Sequence, residues 1–173
     1  MSDTITLSID GKDLPVNKDA IKLSVYIRNL IENVAGKENE SDDEDTHDSE
    51  NIVIKIDTID YNIMKKVAEW CEHYFSIHGQ ESIESGSVSG NKWSEDILKE
   101  HRAKAYDTPL DNWDREFLNG TIEDLSKIIA ASDFLNIQPL LSSCCKVVAQ
   151  YFKGKSPHEV IEAFAKASST SEN

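Results

Sequence analysis

The stretch Leu140-Leu-Ser-Ser-Cys-Cys-Lys-Val-Val-Ala-Gln-Tyr-Phe-Lys153 decides how the rest of the chain is read. Leu140, Cys144, Val147 and Tyr151 recur at spacings of four, three and four, the period of one helix face. Leu141, Cys145, Val148 and Phe152 repeat the pattern one residue on, about 100° further round the helix. The two stripes together cover more than half the circumference, wider than an ordinary surface helix of a small domain buries. Each apolar side chain left in water forgoes roughly 1.5–3 kcal/mol of burial. One stripe packs on the chain's own core. The other is either enclosed because the helix is central to its own fold, or reserved for a partner. These residues leave both alternatives open, and they do not say which stripe faces inward.

Working outward, the 173 residues suffice for one domain, or one domain with an appendage, and for a substantial core. A formal net charge of -14 and a pI near 4.7 argue against nucleic acid and against anionic membrane surfaces as partners. No apolar run approaches the ~20 residues of a membrane span. Met1 to Thr6 has no basic flank ahead of an apolar run, so no signal peptide is expected. Three cysteines, two of them adjacent, are not a disulfide framework. They point to a reducing compartment, with Cys144 and Cys145 acting as small buried hydrophobes.

Before the two-striped helix, the pattern alternates between strands and helices. Thr4-Ile-Thr-Leu-Ser-Ile9 alternates apolar and polar residues, a half-buried strand. Asp10-Gly11 is a hairpin signal, and a second strand follows over 12–16, where Pro15 marks an edge. Ser24 caps a helix with Ile27, Leu30, Ile31 and Val34 on one face, and Gly36 is expected to end it. Eight of the thirteen residues in 38–50 are acidic, the composition of a solvated loop rather than a calcium loop, which needs a turn glycine and a fixed ligand order. A third strand is predicted over 51–56 and an amphipathic helix over 61–75, carrying Ile63, Val67, Trp70, Cys71 and Tyr74. Residues 79–90 have linker composition, and 93–106 a thin helical pattern that Pro109 breaks.

The remainder is helical. Residues 111–118 place Trp113 and Phe117 four apart, and Thr121 caps a helix through Ile122, Leu125, Ile128, Ile129 and Ser132. Pro139 suits the first turn of the two-striped helix and Gly154 its end. Ser156-Pro157-His158-Glu159 is a capping box that opens a last helix with Val160, Ile161 and Phe164; the chain from Ala167 on is small and polar and expected to fray. Three strands with interleaved helices followed by a helical half give an α+β fold.

No residue constellation speaks for catalysis. Cys71 and His73 are two apart on one helix and so point apart. His73 and His78 lack metal-ligand spacing and a second ligand pair. There is no phosphate-cradling glycine loop and no serine elbow. The expectation is a protein with no catalytic residues, no metal and no cofactor, and with no small-molecule substrate.

The ordered set Trp113-Asp-Arg-Glu-Phe-Leu118, Asp133-Phe-Leu-Asn-Ile-Gln-Pro-Leu-Leu141, Cys145-Lys-Val-Val-Ala149 and Lys153-Gly-Lys-Ser-Pro157, then Glu159 and Phe164, resembles the S-phase kinase-associated adaptor family. Its members are the BTB/POZ-fold subunits of cullin-based SCF ubiquitin ligases. Lys65-Lys-Val-Ala-Glu-Trp-Cys-Glu-His73 and the acidic insertion before the third strand are similar to the same family, so the resemblance covers about 5–35, 51–75 and 109–165. It implies a BTB/POZ-like domain over 1–131, with an acidic loop at 37–50 and a Ser/Gly linker at 76–92. A helical F-box-binding extension over 132–167 and a frayed tail at 168–173 complete the expected organisation.

The resemblance further implies an adaptor that bridges a cullin to F-box substrate receptors for ubiquitin-dependent degradation, in the cytoplasm and nucleus. By position the cullin-facing pair falls on Asp133 and Phe134, where the family usually has Asn-Tyr; a phenol hydroxyl is lost and a negative charge gained, which bears on cullin affinity and choice. The F-box surface falls on Leu141, Cys145, Val148 and Phe152, with Val160 and Phe164 from the next helix and Tyr151 at a rim. Residues 165–173 stand where the family continues with an acidic helix and a Trp-containing segment, so part of the F-box clamp is expected to be missing. Two other readings remain: an F-box-binding subunit of a non-ligase assembly such as a kinetochore complex, and a BTB/POZ self-association module.

Overall fold

In the computed structural model, which describes residues 4–37, 52–79 and 109–169, the alternating N-terminal segment is strand β1, Thr4–Ile9. Ile5, Leu7 and Ile9 are buried, whereas Thr6 and Ser8 are half-buried. Asp10 and Gly11 both take positive φ, 50° and 75°. Such values define the two-residue hairpin turn whose twist matches that of the strands, and glycine adopts them without steric cost. Strand β2, Lys12–Asn17, returns antiparallel with Leu7 opposite Leu14 and Ile5 opposite Val16. Strand β3, Val53–Lys55, pairs parallel to β1 on its other side, giving the order β2-β1-β3. The predicted strand over 51–56 is thus shorter in the structure, although Ile52 O and Ile56 N still bond to β1, at 3.0 and 2.9 Å.

Pro15 sits on the edge strand, as expected. Thr6 and Ser8 direct their backbone groups toward β3, so Ile5, Leu7 and Ile9 serve β2 and the alternate residues of β2 (Asp13, Pro15, Asn17) face outward. Pro15 has no N–H to offer. The Asn17 N–H is taken by Glu72 Oε1 at 3.4 Å.

Asn17 closes the hairpin by capping helix α1, Lys18–Ile21; its Oδ1 accepts from the N–H groups of Asp19 and Ala20, both at 3.0 Å. Helix α2, Val25–Lys37, starts at the Ser24 cap. Ser24 Oγ accepts from Ile27 N at 3.1 Å and donates to Leu135 O at 2.7 Å. The expected stop at Gly36 is not observed, since α2 continues through Gly36 to Lys37. A glycine inside a helix costs only about 1 kcal/mol and ends one only where a left-handed residue is needed. Helix α3, Tyr61–His78, runs three residues beyond the predicted end and buries Ile63, Met64, Val67, Ala68, Trp70 and Cys71. It stops at Gly79, whose φ is 61°.

Helix α4, Asn112–Phe117, is capped by Asp111 and stacks Trp113 on Phe117 at 4.5 Å. Helix α5, Ile122–Phe134, follows the Thr121 cap, whose Oγ1 accepts from Asp124 N at 3.0 Å. Helix α6, Gln138–Phe152, is the two-striped segment, and helix α7, Pro157–Ser169, follows the capping box. Helix α7 extends to Ser169, two residues past the point where fraying was expected to begin. The described residues form two compact units: 4–37 and 52–79 with 134–137, and 109–133 with 138–169. The body of the acidic loop, most of the Ser/Gly linker and the thin helical pattern over 93–106 lie outside the described residues.

Candidate partner-binding surface

Helix α6 resolves the ambiguity between its two stripes. Leu140 and Cys144 are 0% exposed, with Ser143 buried beside them, so the first stripe faces inward over the N-terminal half of the helix. It opens toward the C-terminus, where Val147 is half-buried and Tyr151 is 45% exposed. The second stripe is partly covered: Leu141, Val148 and Phe152 are half-buried, whereas Cys145, expected to be buried, is exposed, because it lies about 100° round the helix from the sealed Cys144. An apolar flank of this kind gains further burial when something covers it.

Polar groups fix the inner face. Ser143 Oγ donates to Asp114 Oδ2 at 2.8 Å, and Asp111 Oδ1 accepts from Asp114 N at 2.6 Å, which anchors α6 to the capped start of α4. Burial pushes the Cys144 thiol up to about 12, helped by the neighbouring Cys145 and by the Asp114 carboxylate. The chemistry of Cys144 is therefore that of a packed hydrophobe.

At the C-terminal end of α6, Tyr151 and Phe152 meet edge to face at 5.1 Å, and the Lys155 ammonium lies 3.7 Å from the Tyr151 ring centre. Gly154, at φ 83°, turns the chain toward α7. The capping box closes as its sequence predicts: Ser156 N and Oγ donate to Glu159 Oε2 at 2.7 and 2.8 Å, and Glu159 N donates back to Ser156 Oγ at 3.4 Å. The Ser156 N–H and hydroxyl hold the Glu159 carboxyl below its usual range. Val160 is half-buried, and Ile161, which the assigned site omitted, is 69% exposed. Phe164 belongs to α7, but its side chain is outside the described residues.

The remaining pair of site residues is not on α6. Asp133 is exposed in the last turn of α5. Phe134 is 39% exposed, its ring centre 5.0 Å from that of Tyr26, which is itself 37% exposed. Tyr26 N donates to Leu135 O at 3.4 Å, so the start of α2 is tied to the segment following Phe134. No local pattern pointed to Tyr26, 108 residues from its aromatic partner in the chain. Lys155 had a local signal, four residues after Tyr151, but it lay beyond the end of the helix.

Among the described residues no group of three or more His, Cys, Asp or Glu side chains is placed to hold a metal ion. Cys71 is fully buried, and burial, with the Glu72 charge, raises its thiol far above the usual range. No described helix is long and apolar enough to cross a membrane.

Two family models match the chain: the Skp1 family tetramerisation domain over residues 3–76 and the Skp1 family dimerisation domain over residues 138–165. The Suppressor of kinetochore protein 1 of Schizosaccharomyces pombe is 31% identical over 165 residues, covering 95% of this chain and 85% of that protein. The E3 ubiquitin ligase complex SCF subunit sconC of Aspergillus clavatus is 33% identical over 165 residues, 95% of this chain and 86% of its own length. The protein of the same description from Arthroderma benhamiae is 32% identical over 161 residues, 92% and 81% respectively. A BTB/POZ-type sheet and helices followed by an apolar helical surface, with both family domains matched in order, place this chain in the Skp1 family.

Proposed function

We propose that this protein is a non-catalytic adaptor of an SCF-type ubiquitin ligase, joining a cullin scaffold to F-box substrate receptors in the cytoplasm and nucleus. The outer flank of α6 (Leu141, Cys145, Val148, Phe152), the Tyr151 rim, and Val160 and Phe164 of α7 receive the F-box helices. Asp133 and Phe134 face the cullin. The observation that carries the reading is the asymmetry of α6: its inner stripe is sealed at Leu140 and Cys144, while the apolar flank beside it is only partly covered, with Cys145 exposed at its middle. An amphipathic partner helix docks on such a flank through apolar anchors. Free cysteines, two of them buried, fit a reducing compartment.

A second reading has its own support. One relative is named for the kinetochore, and Asp133 and Phe134 replace the residue types the resemblance assigns to cullin contact. In that reading the F-box flank serves a non-ligase assembly. One experiment addresses both. The full chain is tested by gel filtration with a purified F-box domain and a cullin N-terminal fragment. Val148→Asp places a charge in the middle of the flank and is expected to abolish F-box capture while circular dichroism stays unchanged. Unchanged capture removes the assigned surface. Capture of the F-box domain without the cullin fragment favours the non-ligase assembly.

A further inference from the structure

A groove of about 540 Å³ opens where the end of β2 and helix α1 meet the last turns of α3. No residue of α6 or α7 lines it. Val16 and Ala20 are its buried floor, and Phe75 is half-buried along it. Pro15, Glu72 and Ser76 stand exposed at its mouth.

Two acceptors mark that mouth. Among the described residues the Glu72 carboxylate makes one hydrogen bond, a long one from the Asn17 N–H to Oε1 at 3.4 Å, and pairs with no cation. The Ser76 hydroxyl donates to His73 O at 2.7 Å, so its proton is committed and its oxygen is left to accept. Glu72 and Phe75 are three apart on α3 and therefore share a face. The groove lies against the C-terminal end of that helix, where the unsatisfied carbonyls favour a cation.

These groups discriminate among occupants. An uncharged side chain would strip water from the carboxylate without replacing its bonds. An ammonium would meet it as a point charge and leave the Phe75 ring unused. A guanidinium has five donors and no acceptor, can pair both carboxylate oxygens at once, and lays a flat face on an aromatic ring.

We propose that this groove takes an arginine side chain presented by a protein partner, with the stem over Val16 and Ala20, the guanidinium against the Phe75 ring and its donors on Glu72. The exposed mouth favours a protein segment over a free metabolite, because small-molecule sites enclose most of their ligand. Pro15 offers the segment no N–H, so recognition falls to the side chain. The net charge of -14 draws basic segments toward the chain.

The test uses the full chain and a seven-residue peptide of alanine and glycine with one central arginine, followed by amide chemical shifts in NMR. Shifts are expected at Asn17, Glu72, Phe75 and Ser76, and the peptide with citrulline or lysine in place of arginine should bind more weakly. Glu72→Gln removes the charge at an exposed position and should weaken the arginine peptide about fivefold. Phe75→Leu keeps apolar bulk without the ring and should erase the preference for arginine over lysine. Circular dichroism checks that both variants fold. Shifts scattered over the acidic surface with none at these four residues overturn the proposal, as does a citrulline peptide that binds equally well or a Glu72→Gln chain that binds as tightly as the native one. Acetyl-arginine amide binding as tightly as the peptide overturns the protein segment and assigns the groove to a small guanidino compound.

Discussion

Ser24 shows how much one oxygen can organise. Its hydroxyl accepts from the first turn of α2 and donates to the Leu135 carbonyl, 111 residues away, from a position that is 0% exposed. Ser24→Ala removes both bonds. Leu135 O keeps a donor in Tyr26 N at 3.4 Å, so the expected loss is dominated by the helix cap, about 1–2 kcal/mol. It should appear as a lower urea midpoint with an unchanged slope. The cap was legible in the sequence, because a serine precedes the apolar period of Ile27, Leu30 and Ile31. The bond to Leu135 was not: contacts across such a separation leave no trace in local spacing. The Tyr26–Phe134 and Ser143–Asp114 contacts were hidden for the same reason.

Among the elements, boundaries defined by side-chain chemistry were the most legible. The Asp10-Gly11 turn, the Thr121 cap and the Ser156–Glu159 box form as read, because each is a bond between residues at most three apart. The end of α2 was misread, since Gly36 has no such partner and its fate depends on the rest of the fold. Both stripes of α6 were legible, but their orientation was not, because periodicity shows that two faces are apolar without saying what lies against either. Gly154 offers a test at this scale. Its φ of 83° is left-handed, and a Cβ there would meet nothing within 4 Å. Gly154→Ala therefore pays only for backbone strain, about 1–2 kcal/mol, with a matching fall in thermal midpoint. Dislocation of the α6–α7 joint would show instead as a weakened F-box complex in the same preparation.

For the molecule as a whole, the two buried thiols give a pH dependence. Burial raises the Cys144 thiol from 9.0 to about 12 and Cys71 still further. The native chain therefore keeps protons that the unfolded chain releases above pH 9. Stability from this source is complete below pH 9 and is lost progressively as pH rises toward about 12, on the order of 1 kcal/mol per pH unit for each thiol. Urea midpoints measured on either side of pH 9 should fall on the alkaline side. The Cys71→Ala, Cys144→Ala double variant, less stable throughout, should show a flatter profile. Hydrophobic patterning had already assigned Cys71 to the buried face of α3, whereas the burial of Cys144 became fixed only with the orientation of α6.

The outer margin of β2 has a consequence for assembly. Of the three residues whose backbone faces away from β1, Pro15 lacks a donor and Asn17 has committed its own to Glu72. An incoming strand would find one amide, that of Asp13, where a continuous ladder needs one at every second residue. Along this margin the sheet resists extension by a neighbouring chain, and fibril-like growth has no template there.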